Sequence, residues 1–150
     1  MKNIQLELTE DQYGDLLKLV YLGNWLANGI YLPQERDAQF DEIEQAVMSK
    51  AEEAGFGDLI VRDEKSGRYS ANALFENQPE IQESIDDYDD EAFWDGLVMR
   101  LTERDLINDR GADEVQAMGL TERLRAEVPF LRRYDKEVEK YGVDRLFIKE

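Results

Sequence analysis

The chain has 150 residues, with 35 acids against 18 bases, a net charge of −17, no cysteine and no histidine. Disulfides, thiolate ligands, cysteine nucleophiles and imidazole bases are therefore excluded, and the charge opposes phosphate backbones, where affinity comes from Lys and Arg displacing counterions, so no direct nucleic-acid partner is expected. The length suits one domain with its own core, and no Pro-, Gly- or Ser-rich linker interrupts it, so residues 1–150 are read as a single domain.

The N-terminal stretch MKNIQLELTED lacks the apolar core of a signal peptide, which together with the missing cysteines points to a cytoplasmic protein. Ile4, Leu6 and Leu8 alternate with Asn3, Gln5 and Glu7, the period of a half-buried strand over residues 3–8. Thr9 followed at the third position by Gln12 matches a capping box and predicts that the main helix starts there and runs over about 10–28. Tyr13, Leu17, Val20 and Tyr21 share one face of it, with Asp11, Asp15 and Lys18 opposite. In its second half Leu22, Trp25 and Leu26 occupy the side where the charges had been. That half should be buried all round or covered by a second copy, a homodimer through Leu22, Trp25 and Leu26. The uncharged run from Leu19 to Gln34 is too short and too broken by Asn, Gly and Pro to span a membrane.

Asn24 and Asn28 continue the core-facing stripe, where an unbonded amide costs about 1–3 kcal/mol. Two readings follow. Either both amides bond to a facing helix or its backbone, with Asn28-Gly29 ending the helix through a left-handed residue, or Tyr21, Asn24, Trp25 and Asn28 line a small pocket in which amides orient a ligand.

Asp37 is placed to cap a second helix with Phe40, Ile43, Val47, Ala51 and Ala54 on its buried face, ending at Gly55. The runs 59–62 and 68–71, separated by Asp63-Glu-Lys-Ser-Gly67, read as a hairpin lying on the surface. Pro79 opens a third helix with Ile81, Ile85 and Tyr88 buried. After the acidic run, Asp89 or Asp90 caps a fourth, with Phe93, Trp94, Leu97, Val98 and Leu101 on one face. Beyond Ala112 a short helix around Val115, a hinge at Gly119 and a kink or restart at Pro129 precede a last helix that Gly142 ends. The tail from Val143 has strand-forming residues that could pair with residues 3–8. The fold class is mainly α, α+β at most: five or six helices around the N-terminal helix, with a small strand pairing of the two termini.

Carboxylates are the only abundant catalytic groups. Acids three residues apart can hold Mg²⁺ from neighbouring helices, as Asp41 with Glu44, Glu80 with Glu83, and Glu83 with Asp86 would. Six such pairs occur where the composition alone would give about eight, so the spacing carries no information. No calcium loop, nucleophile elbow or phosphate loop is present.

The distinctive stretch is acidic: nine acids and no base lie between Arg68 and Arg100, with Asp86, Asp87, Asp89, Asp90 and Glu91 crowded around Tyr88. As a helix end, Asp86 and Asp87 would face the wrong pole of the dipole, unless a cation offsets them. The run is a solvated loop, a docking site for a basic protein segment or a weak divalent-cation site. The reading that follows is a non-enzymatic binding module of inhibitor, immunity or adaptor type without a cofactor. The alternative is a carboxylate-metal hydrolase of nucleotides or other phosphate esters.

Overall fold

The computed structural model describes residues 4–147 and contains six α-helices, one 3-10 turn and one two-stranded hairpin. The mainly α class is as expected. The chain divides into two compact units, Met1–Asp86 and Asp87–Glu150.

In the first unit, α1 (Glu10–Asn28) starts with the expected box: the Thr9 hydroxyl accepts from the Gln12 backbone N–H, and the Gln12 side chain accepts from the Thr9 N–H. Two of the donors that a helix start leaves free are thereby satisfied. Tyr13 and Leu17 enter a core with Met48, Ala51, Ile60, Phe75 and Ile81, and the Tyr13 hydroxyl donates to the Val47 carbonyl. The second half of α1 is not buried all round: Leu22 packs against the core, but Leu26 is 54% exposed.

Helix α2 (Ala38–Met48) is capped by Asp37, as expected, but stops at Met48. The chain reaches Gly55, whose φ is +86°, through turns instead. Of the expected stripe, Val47, Ala51 and Ala54 do pack in or against the core, whereas Phe40 and Ile43 are exposed and Asp41, Glu44 and Gln45 turn inward in the first part of the helix. The amides of α1 require polar partners, and at the start of α2 these override the apolar period.

The hairpin pairs β1 (Ile60–Arg62) with β2 (Tyr69–Ala71), antiparallel, Val61 opposite Ser70. Its turn is closed by Asp63, which accepts from both the backbone and the hydroxyl of Ser66. It is more than a surface flap, because Ile60 is buried and the Gln45 side chain bonds both backbone groups of Tyr69. Gln45 thereby imitates one residue of an additional strand on the free edge of β2. Residues 4–8 form no strand, nor do 143–147, so the sheet is this hairpin and not a pairing of the termini; residue 3 and residues 148–150 of that expectation lie outside the described residues. A single turn, α3 (Ala73–Glu76), is capped by Asn72 and buries Phe75.

Helix α4 (Pro79–Arg110) opens at Pro79 as expected but runs for 32 residues. The expected third and fourth helices are one. No Gly or Pro lies between Glu80 and Asp95. Four aspartates cost only a few tenths of a kcal/mol each in propensity, less than leaving a set of helix ends unsatisfied. Asp86 and Asp87 therefore face no helix terminus, and neither Asp89 nor Asp90 is a cap. Ile81 is fully buried, but Tyr88 and Phe93 are half exposed.

In the second unit, Gly111 (φ +88°) turns the chain into α5 (Ala112–Ala117), and α6 (Leu120–Tyr141) ends at Gly142 with φ +52°. The helix continues through Pro129, so it does not restart there; what the proline removes is the N–H that would bond the carbonyl of Arg125. Tyr134 on α6 donates to Asp105 on α4, and Arg104 and Arg133 bond the same carboxylate and hydroxyl, fastening the two helices. The Tyr134 hydrogen bond is the main reason that the Asp105 carboxyl is held below its usual range. No described helix is long and apolar enough to cross a membrane.

Candidate functional site

Asn24 and Asn28 lie one turn apart on α1 and are both buried. Asn28 behaves as a peptide group towards Asp37: its carbonyl accepts the Asp37 N–H at 2.7 Å and its amide donates to the Asp37 carbonyl at 3.1 Å. The other hydrogen of that amide goes to the Asn24 carbonyl at 2.8 Å. Asn24 in turn divides its two hydrogens between Asp41 Oδ1 at 3.0 Å and Glu44 Oε2 at 2.8 Å. Every amide hydrogen of the ladder is used, which offsets the desolvation of both side chains. The ladder has a direction: donors point from the start of α2 through α1 and back to two α2 carboxylates.

The ladder ends at a cavity of about 360 Å³. Asp41 is paired there with Arg36 at 2.8 Å. Tyr21, Trp25, Tyr69 and Met48 supply the less polar walls, and Glu44, Glu76 and Arg68 the remaining charge. Burial pushes the Glu44 carboxyl above its ordinary range; Asp41 adds to this, while the Asn24 hydrogen bond and the Arg36 and Arg68 charges oppose it. The Tyr21 hydroxyl is raised by burial and then by Glu76, to which it donates at 3.5 Å.

The amide hydrogens of the asparagines are all bonded internally, and a cavity lies beside them. Asn24 and Asn28 do bond the facing helix and its backbone, and Tyr21, Asn24 and Trp25 do line a pocket, with Asn28 behind Asn24 and off the lining. Gly29 is right-handed helical (φ −62°), and its N–H still bonds the Trp25 carbonyl, so the expected left-handed ending is absent. Glu76, Arg68 and Tyr69 were not singled out in the sequence. Asp37, Asp41 and Glu44 carried the available signal, because a polar stripe spaced by three and four on one helix suits an Asn stripe spaced by four on another.

The acidic stretch lies along α4. Asp86, Asp87, Asp89, Asp90 and Glu91 are all exposed, as is Tyr88, and every residue from Asp86 to Phe93 has the same character. Among the described residues none of these five acids enters an ion pair. Asp90 accepts from the Trp94 ring N–H. Glu80 and Glu83 are exposed on the same helix, and among the described residues no group of three carboxylates is placed to hold a metal ion. No known protein family, curated protein or solved structure matches the chain.

Proposed function

We propose that the protein is a non-enzymatic, cytosolic binding module of inhibitor, immunity or adaptor type, without a cofactor, which takes a basic segment of another protein on the acidic surface of α4. The observation that carries this reading is the uncompensated charge of the stretch 86–91. On a continuous helix Asp86 faces Asp89 and Asp90, and Asp87 faces Asp90 and Glu91, all like-charged neighbours at three- and four-residue spacing. Each such pair costs a few tenths of a kcal/mol, and among the described residues no internal cation pairs with them. A partner rich in Lys and Arg supplies that relief and is steered towards it by the surrounding field.

Titration with labelled Lys/Arg-rich peptides tests this. Saturable binding that weakens with NaCl and is lost when Asp86, Asp87, Asp89 and Asp90 are changed to Asn is the expected result. Binding unchanged in that variant overturns the reading.

A second reading, self-association through the outward side of α1, has a specific observation in its favour. Leu19 and Leu26 share an exposed stripe that Ile30 continues beyond the helix, at 67%, 54% and 87% exposure. Of the three residues first considered for this role, Leu26 belongs to that stripe, whereas Leu22 packs on the core and Trp25 lines the cavity.

A further inference from the structure

The cavity at the end of the asparagine ladder holds two opposite charges that do not satisfy each other. Glu44 gives one oxygen to the Asn24 amide and enters no ion pair among the described residues. Arg68, immediately before β2, also enters none among them. Both line the same space, and their fields reach each other across it. The other formal charges there are accounted for differently: Asp41 and Arg36 neutralise one another, and Glu76 is exposed and tied to the Tyr21 hydroxyl.

We infer that this cavity binds a small zwitterion, an α-amino acid with an apolar or aromatic side chain, its ammonium on Glu44 and its carboxylate on Arg68. A simple cation would satisfy the half-buried Glu44 but leave Arg68 opposed, and a simple anion would do the reverse. A ligand with both charges completes both partners by charge-assisted hydrogen bonds, which are roughly twice as strong as neutral ones. Tyr21, Trp25, Tyr69 and Met48 offer the side chain aromatic and apolar contacts within a mixed lining. The volume lies near the lower end of ligand pockets, which run from about 300 to 1,000 Å³, and so suits a single amino acid. The ladder supplies what such a site needs, because Asn24 fixes the Glu44 carboxylate from behind before any ligand arrives.

Isothermal titration of the full chain against the twenty common α-amino acids tests the inference. For each hit, the amine lacking the carboxylate and the acid lacking the ammonium are titrated as well. Expected are one-to-one binding of one or more apolar amino acids with Kd below about 1 mM, and affinities at least about tenfold weaker for either half. Glu44→Gln and Arg68→Gln should each weaken binding by about tenfold or more. In the first variant the new amide oxygen still accepts from Asn24. Arg68 is exposed, so Arg68→Gln decides the matter even if the first variant folds poorly. Absence of any amino-acid binding overturns the inference, as does equal binding of the amine alone with no effect of Arg68→Gln. Asp→Asn changes at 86–90 leave this binding untouched, so its failure and that of the α4 docking reading are told apart.

Discussion

Half-buried beside Asp41, the Glu44 carboxyl titrates above the ordinary carboxylate range, chiefly because of burial. Between its ordinary and its raised pKa the folded chain binds more protons than the unfolded one, so this group's contribution to stability falls as pH rises through that window. The groups facing it are Asp41 and Arg36 from α2 and the turn before it, Asn24 and Tyr21 from α1, Arg68 before β2 and Glu76 from α3. Glu44→Gln keeps the bond to Asn24 and removes the charge. Thermal unfolding should find the variant more stable than the parent at pH 7, with no advantage at pH 4, where the parent's carboxyl is mostly protonated in both states. Equal pH profiles would contradict the assignment. A second residue-scale case is Thr102, whose hydroxyl is buried without a hydrogen-bond partner among the described residues. Thr102→Val should stabilise by about 1 kcal/mol in urea unfolding, since an unsatisfied buried group is replaced by a methyl of similar size; a loss of that amount would show that the hydroxyl is satisfied in solution. At this scale the site was half legible. Asn24 and Asn28 stand out as amides on an apolar stripe, whereas 35 acids hide which two carboxylates face them.

Element starts and stops were legible wherever a local side chain makes them. Thr9 with Gln12, Asp37, Pro79 and Gly142 each act within a few residues of chain, and so does the Asp63 turn of the hairpin. What the sequence hid depends on longer range. Helix α3 is a single turn, too short to show a period, and the end of α2 is decided by packing around Met48 and Ala51 rather than by Gly55. The acidic run resembles a loop because its charge masks the helical period, yet its residues are helical within α4. That continuity has a measurable consequence. Asp86→Asn with Asp87→Asn removes like-charged neighbours at Glu83, Asp89, Asp90 and Glu91 with little change in propensity, because Asn and Asp are similar helix formers. Helix unfolding followed by circular dichroism in low salt should show a gain of about 1 kcal/mol, shrinking in about 1 M NaCl, where the Debye length is near 3 Å. A lower midpoint would mean that these aspartates cap something, as a broken helix would require.

For the whole molecule, the charge of −17 and the exposed apolar stripe of α1 oppose each other. Burying one Leu or Ile contributes about 1.5–3 kcal/mol, while association costs about 4–15 kcal/mol in lost freedom. Leu19, Leu26 and Ile30 from each of two copies are therefore near the threshold, and exposed Phe40 and Ile43 on α2 add to the same term if they are covered too. Against this stands the repulsion between two chains of like charge, which salt screens beyond about 10 Å at 0.1 M. Self-association through α1 must then strengthen with ionic strength, the opposite of what docking of a basic segment on α4 does. Light scattering across NaCl concentrations separates the two. The expected outcome is a mass that rises from monomer towards dimer as salt increases, and Leu19→Glu with Leu26→Glu should hold the chain monomeric throughout. A mass that stays monomeric at every salt concentration removes the self-association reading.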